Sequence, residues 1–215
     1  MSKAAAIKDS YTSGARSLAA RSIGGLARTR VTPNALTTTG VLLCAVASVV
    51  VLFERHNEIL FFWVGAVLFV AGSVLDILDG ALARAGGKST PFGAFLDSTT
   101  DRVSEGFMLA AIAYVFSSDN RDAFVVVAVG AVAGSFLVSY TRARAEALGL
   151  KGDVGIGSRA ERVVVITAGL VLAPWGVLPW AIALLTLTAW VTVVQRVMSV
   201  RSQLVARAAG PDSTS

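Results

Sequence analysis

Residues 76–101 read DILDGALARAGGKSTPFGAFLDSTTD, with four aspartates within or beside apolar segments. On a helix, Asp76 and Asp79 share a face because they are three residues apart, and Asp97 and Asp101 share one because they are four apart. The short connection AGGKSTP predicts that the end of one helix lies beside the start of the next. The stretch therefore predicts a helical hairpin on which four carboxylates converge.

Four neighbouring carboxylates predict a bound cation, because their charges repel one another strongly unless something positive lies among them. Carboxylate oxygens suit a hard divalent ion such as Mg²⁺ or Mn²⁺. Gly80 and Gly93 leave space for a backbone or a ligand to approach closely. Arg84 carries a guanidinium group suited to binding a phosphate. Together these residues indicate phosphoryl-type chemistry, in which positioning and charge neutralisation do most of the catalysis.

The rest of the chain is apolar. Of its 215 residues, 54% are hydrophobic and 15% are charged, whereas soluble domains carry about 25% charged residues. A membrane-spanning helix needs about 20 apolar residues. Six segments of about that length lie at 35–53, 59–80, 92–116, 123–145, 161–177 and 178–200. We therefore predict an all-α integral membrane protein with six transmembrane helices.

The basic residues predict the orientation. Of the 19 lysines and arginines, only Arg55 and Arg121 fall on one side of the six predicted spans. The positive-inside rule then places both termini and the acids at the cytoplasmic face of the inner (plasma) membrane. A single domain is expected over 1–215, with a cytoplasmic segment at 1–33, a helical core at 34–200 and a cytoplasmic tail at 201–215. The basic first segment predicts an amphipathic juxtamembrane helix, with a solvated arm as the alternative.

Two other interpretations of the acids are available. The aspartates could pair with Arg84, Lys88 and Arg102 as packing devices, or they could form a path for a transported cation. Ionisable residues within membrane segments are usually functional, which disfavours the first. A transporter would be expected to hold its charges near mid-membrane and to show repeated halves. We therefore favour a catalytic role for the aspartates, and a cation or lipid transporter is the non-enzymatic alternative.

The acidic stretch resembles the signature of the CDP-alcohol phosphotransferases. The family pattern D-x2-D-G-x2-A-R-x8-G-x3-D-x3-D is met at every fixed position, namely Asp76, Asp79, Gly80, Ala83, Arg84, Gly93, Asp97 and Asp101. So many fixed positions at set spacing make a specific motif. The predicted six spans are similar to the family's architecture.

The resemblance implies that the hydroxyl of an acceptor alcohol attacks the lipid-side phosphate of a CDP-linked donor and that CMP leaves. It implies Asp76, Asp79 and Asp97 as ligands of Mg²⁺ or Mn²⁺, and Asp101 as a residue near the metal and the general base. The residue pattern alone leaves the base undecided among the four. The resemblance also implies a homodimer and six candidate contacts to the CDP-lipid: Asn34, Thr37, Gly80, Arg84, Thr90 and Gly93. Capping of the first span is the alternative for Asn34 and Thr37.

The acceptor is predicted from a second stretch, residues 139–162, which read SYTRARAEALGLKGDVGIGSRAER. Its cationic residues, with Arg196 near the end of the last span, favour an anionic acceptor such as a sugar or polyol phosphate. A purely topological role is the alternative for each. The residue pattern of this stretch resembles that of the actinobacterial phosphatidylinositol phosphate synthases. The resemblance implies that an acceptor phosphate is bound by Ser139, Arg142, Arg162 and Arg196. The segment GDVGIGSRAER departs from the expected pattern, so Arg159 has no assigned role. Glu105 lies one turn beyond Asp101, and we expect it to have a structural role or to support a neighbouring site residue.

The predicted reaction is transfer of a phosphatidyl group from CDP-diacylglycerol to inositol 1-phosphate. The alternative enzyme is a phosphatidylglycerophosphate synthase using glycerol 3-phosphate. Membrane lipids are expected partners and nucleic acid is not.

Overall fold

The computed structural model describes residues 33–85, 90–156 and 158–208. Over these ranges the chain forms six α-helices and no strand. They are α1 Pro33–Val51, α2 Glu58–Ala85, α3 Pro91–Ser118, α4 Asp122–Ala147, α5 Arg159–Val171 and α6 Leu178–Ala208. The all-α prediction is confirmed. The predicted amphipathic helix falls on residues 1–32 and lies outside the described ranges.

Helix starts follow local chemistry. Pro33 and Pro91 open α1 and α3, where the fixed φ of proline suits the first turn and its missing N–H costs no hydrogen bond. Ser158 and Glu161 form a capping box at the start of α5, in which each side chain accepts a hydrogen bond from the other's backbone N–H. Arg159 is therefore the first helical residue of α5. The S-x-x-E spacing is the signal that could have predicted this start.

The fifth predicted span, 161–177, extends too far. α5 ends at Val171, and a 3-10 turn follows at Ala173–Trp175. Pro174 lies in that turn and cannot donate a helical hydrogen bond, and Gly176 adopts a left-handed conformation with φ of 74°. The 13 residues of α5 span about 20 Å, less than the ~30 Å of the hydrocarbon core.

The last helix is longer than the sequence predicts. α6 continues to Ala208, eight residues into the predicted tail.

Four of the described helices are long and apolar enough to cross a membrane: α1, α2, α4 and α6. Only between 28% and 39% of each apolar window is buried within the protein. Most of their apolar surface therefore faces outward, as expected for helices surrounded by lipid. α3 is as long as α2 but carries four charged residues between positions 97 and 105. The count of six spans stays a prediction.

The chain divides into two compact units. Within the described residues, we call the first the acidic unit; it comprises residues 33–43, 71–85 and 90–103. We call the second the arginine unit; it comprises residues 44–70, 104–156 and 158–208. Helices α1, α2 and α3 each contribute residues to both units.

The arginine unit has an apolar core in which α6 packs against α4 and α5. Ile112, Ile166 and Ile182 are fully buried in it. Two tryptophan side chains donate hydrogen bonds to backbone oxygens of other helices. Trp190 Nε1 on α6 donates to the carbonyl of Gly130 on α4 at 3.1 Å, and Trp63 Nε1 on α2 donates to the carbonyl of Val171 on α5 at 3.1 Å. These contacts join α6 to α4 and α2 to α5.

Candidate functional site

Three aspartates of the acidic unit converge. Asp76 on α2 and Asp97 and Asp101 on α3 each offer a carboxylate oxygen, and these oxygens all lie within 4.8 Å of one another. Asp76 is buried, with 4% of its surface exposed, and the other two are half-buried. The predicted hairpin is thus present: the C-terminal part of α2 lies beside the N-terminal part of α3.

The donor set fits one divalent cation. Two ligands of a Mg²⁺ ion lie at most about 4.2 Å apart, because each metal–oxygen distance is about 2.1 Å. The oxygen separations of up to 4.8 Å need only a small side-chain rotation to reach that range. Three carboxylates in a mainly apolar protein favour a hard cation over a soft one.

Asp79 lies outside this group of three. Its Oδ2 accepts a hydrogen bond from Thr37 Oγ1 on α1, and both residues are buried. The hydrogen bond joins α1 to α2 within the acidic unit. Thr37, a candidate for contacting the CDP-lipid, therefore has a definite contact with one of the signature aspartates. Assignment of Asp79 as a metal ligand stays a prediction.

Gly40 brings α1 very close to α2, and sequence reasoning did not single it out. A Cβ built on Gly40 would lie 2.8 Å from the carbonyl oxygen of Gly72 and 3.6 Å from Cβ of Asp76. Only a residue without a side chain allows this approach. Gly40 lies three residues after Thr37, so both residues fall on the same face of α1. That face holds α1 against the segment of α2 that carries Asp76 and Asp79.

The other predicted donor-site residues are placed as follows. Thr90 precedes α3 and caps it, because Thr90 Oγ1 accepts a hydrogen bond from the Gly93 N–H at 3.0 Å. Asn34 is exposed in the first turn of α1, one residue after Pro33, and Gly80 is half-buried in α2. Arg84 belongs to the last turn of α2, and its side chain lies outside the described part of the chain. Their contacts to a CDP-lipid stay predictions.

Three arginines of the arginine unit form a second cluster. Arg142 on α4 and Arg162 on α5 both act electrostatically on Arg196 on α6, and Asp153 and Glu146 act in the opposite sense. We call Arg142, Arg162 and Arg196 the arginine cluster. Ser139 is buried three residues before Arg142, on the same face of α4. The structure thus brings together the charges of three arginines that lie on three helices.

Each guanidinium of the arginine cluster donates hydrogen bonds to a different acceptor within the protein. Arg162 donates to Glu105 through Nε at 2.9 Å and through Nη2 at 3.0 Å, and both side chains are buried. Arg142 Nε donates to Glu146 at 2.9 Å in an exposed pair. Residue spacing carries no signal for the Glu105 contact, because Glu105 and Arg162 are 57 residues apart.

Arg196 is anchored by backbone oxygens. Its Nε donates to the carbonyl of Val154 at 2.8 Å, and its Nη1 donates to the carbonyl of Val138. The α4–α5 connection is therefore held against α6 at the level of the cluster. Thr192, one turn earlier on α6, donates to the carbonyl of Ile156 in the same connection. We call residues 152–156 of this connection the strap, and α6 holds it through the side-chain donors of Thr192 and Arg196.

A model of the CDP-alcohol phosphatidyltransferase family matches residues 30–195. The phosphatidylinositol phosphate synthase of Mycolicibacterium smegmatis is 38% identical over 183 residues, which are 81% of this chain and 80% of that protein. The archaetidylinositol phosphate synthase of Pyrococcus horikoshii is 36% identical over 181 residues, which are 83% of this chain and 88% of that protein.

The fold is similar to crystal structures of the phosphatidylinositol phosphate synthase of Mycobacterium tuberculosis. The structure with CDP-DAG bound gives a TM-score of 0.75 at 30% identity and covers 85% of this chain and 92% of that one. The structure in complex with manganese and citrate gives a TM-score of 0.76 at 30% identity and covers 86% and 89%.

Proposed function

We propose that this chain, which belongs to the CDP-alcohol phosphatidyltransferase family, transfers a phosphatidyl group from CDP-diacylglycerol to inositol 1-phosphate. The products are phosphatidylinositol phosphate and CMP. The observation that carries the acceptor assignment is the arginine cluster, in which Arg142 and Arg162 lie close enough for their charges to act on Arg196. Membership of a family of enzymes leaves the transporter alternative without support.

The donor assignment rests on the signature stretch and on the relative crystallised with CDP-DAG. Asp76, Asp97 and Asp101 would hold a divalent ion, with Asp79 as a further predicted ligand. The manganese complex of the same relative supports a divalent ion, and we propose Mg²⁺ or Mn²⁺. When bound, such an ion neutralises charge on the donor's phosphates.

We assign Asp101 as the general base that accepts the proton of the attacking hydroxyl. Asp101 belongs to the converging group, and it is half-buried rather than fully enclosed. A base needs reach to the proton before it needs a suitable pKa. Replacement of Asp101 by Asn should lower kcat by about 10²-fold to 10⁴-fold, the usual contribution of a general base. CDP-diacylglycerol binding should survive, and turnover that also survived would exclude Asp101 as the base.

The acceptor assignment follows from charge and geometry. Guanidinium groups bind phosphate oxygens through charge-assisted, often two-point hydrogen bonds. The like charges of three neighbouring arginines repel one another, and a bound anion would offset that repulsion. Inositol 1-phosphate and glycerol 3-phosphate both supply such an anion. The names of the relatives favour the inositol phosphate.

The proposed setting is the inner (plasma) membrane. We propose six spans, with both termini and the active site on the cytoplasmic side. The placement of basic residues supports this orientation, since only Arg55 and Arg121 fall on the other side. A homodimer is proposed from the family resemblance alone.

An acceptor panel tests the proposed function. Purified protein with CDP-diacylglycerol and a divalent ion would be offered inositol 1-phosphate, inositol, glycerol 3-phosphate and serine, with the lipid product identified by mass spectrometry. We expect phosphatidylinositol phosphate to form and neutral inositol to react poorly, because it lacks the anion that the arginines bind. Preference for glycerol 3-phosphate would favour phosphatidylglycerophosphate synthesis while leaving the reaction class intact.

A further inference from the structure

Glu105 on α3 and Arg162 on α5 form a buried two-point ion pair. Arg162 Nε lies 2.9 Å from Oε1 and 3.2 Å from Oε2 of Glu105, and Nη2 lies 3.0 Å from Oε2. Only 9% of the arginine side chain and 10% of the glutamate side chain are exposed. Contact along one edge of a planar guanidinium fixes both its position and the direction of its plane.

The exposed pair of the arginine cluster provides a contrast. Arg142 and Glu146 lie one helical turn apart on α4, and 56% of each side chain is exposed. Exposed pairs of this kind hold their geometry weakly, because water competes for both partners. Glu105 therefore constrains its arginine much more tightly than Glu146 does.

Stability alone is a weak reason for the buried pair. Removing both charges from water costs several kcal/mol, and apolar replacements of buried ion pairs are often neutral or stabilising. A guanidinium that must meet a phosphate has a different requirement. Its direction must be set before the ligand arrives, and a neighbouring hydrogen-bonded side chain is the usual means of setting it. Glu105 also offsets part of the repulsion among three like charges.

We propose that Glu105 is a positioning residue, which holds Arg162 in the orientation in which Arg162 binds the acceptor's phosphate. This inference rests on the proposed function, since it requires that Arg162 binds that phosphate. It assigns Glu105 no contact with the substrate and no proton transfer. Its effect should therefore appear in the KM for the acceptor and not in the KM for the CDP-lipid.

The test measures both KM values and kcat for full-length protein carrying Glu105→Gln, with inositol 1-phosphate as the acceptor. We expect the acceptor KM to rise about tenfold to a hundredfold, the scale expected for a misplaced binding group, while the KM for CDP-diacylglycerol stays within about twofold. Glu105→Asp keeps the charge, shortens the reach and should shift the acceptor KM in the same direction by less. If the Glu105→Gln protein does not fold, the KM measurements are made on Glu105→Asp instead. The matched control is Glu58→Gln, which makes the same chemical change at an exposed glutamate at the start of α2 and should change the acceptor KM by no more than about twofold.

Two further variants separate the possible failures. If Glu105 acts through Arg162, adding Glu105→Gln to Arg162→Gln should raise the acceptor KM no further than Arg162→Gln alone. A lower melting temperature and kcat without a change in acceptor KM would overturn the inference and leave a packing role. If Arg162→Gln raises the acceptor KM and Glu105→Gln does not, the inference fails and the proposed function stands. If Arg162→Gln leaves the acceptor KM unchanged, the assignment of Arg162 in the proposed function fails, and the inference fails with it.

Discussion

Thr37 on α1 donates a hydrogen bond to the carboxylate of Asp79 on α2, and both residues are buried. This contact connects a threonine outside the family signature to an aspartate inside it. A buried carboxylate that loses a donor bears the cost of its own desolvation. The hydrogen bond therefore contributes both to the packing of α1 and to the direction in which Asp79 points.

Replacement of Thr37 by Val keeps the shape and removes the hydroxyl. We expect a loss of about 2 kcal/mol of stability, as for a buried hydrogen bond to a charged group, together with a lower rate of CMP release. Thermal unfolding in detergent and an activity assay would check both. Thr37→Ser keeps the hydroxyl and is the control. Equal effects of the two substitutions would show that the methyl group matters and the hydrogen bond does not.

Replacement of Gly40 by Ala tests the close approach of α1 and α2. The new Cβ would lie 2.8 Å from the backbone oxygen of Gly72, so the helices must separate. Overpacking of this kind costs about 1–3 kcal/mol, and we expect weaker metal-dependent activity because the displaced segment carries Asp76. The control is Gly106→Ala, whose Cβ would lie at an ordinary 3.6 Å from Phe136. An unchanged metal requirement in Gly40→Ala would contradict this reasoning.

Replacement of Gly155 by Ala tests whether the strap sets the position of the Arg196 side chain. It adopts φ of 132°, and a Cβ there would lie 2.4 Å from Cγ2 of Thr192. Ala at this position should displace the neighbouring Val154 carbonyl, which accepts a hydrogen bond from Arg196, and so raise the acceptor KM severalfold. Adding Thr192→Ser removes Cγ2 and should restore part of the loss. The remaining loss reflects the backbone conformation, which favours glycine. No recovery at all would show that the steric contact is irrelevant.

The free energy of unfolding should depend on pH through the carboxyl group of Glu54. It lies between α1 and α2, where burial raises the pKa of its carboxyl above 4.5, Asp119 raises it further and Arg55 opposes the shift. The folded protein therefore binds this proton more tightly than the unfolded chain does. The resulting stabilisation is complete below pH 4.5 and is lost as the pH rises through the raised pKa.

Glu54→Gln mimics the protonated form. It should melt at a higher temperature than the wild-type protein at pH 7, and the difference should disappear as the pH falls toward 4.5. A stabilisation by Glu54→Gln that persists unchanged at low pH would contradict the assignment.

The sequence predicted the parts of the protein that local spacing determines. Asp97 and Asp101 share a helix face because they are four residues apart, and a short connection brought Asp76 beside them. Apolar length predicted the helices, although it placed the break between the fifth and the sixth after residue 177, whereas the fifth helix ends at Val171. That break is a local property of proline and glycine within a segment apolar enough to look continuous.

The contacts that lie far apart in sequence were beyond this reasoning. Thr37 and Asp79 are 42 residues apart, and Glu105 and Arg162 are 57 apart. Such pairs depend on which faces two helices turn toward each other. That choice depends on the close packing of many side chains, including the absence of one at Gly40. Spacing within one helix carries no information about it.

Metal-dependent phosphatidyl transfer by the aspartates of the acidic unit can be tested in one assay. The most direct test measures CMP release by purified protein supplied with CDP-diacylglycerol and inositol 1-phosphate, first with Mg²⁺ or Mn²⁺ and then with excess chelator. We expect CMP release with the ion, loss of release in chelator, and recovery when the ion is restored. Full activity in chelator would show that the transfer needs no metal.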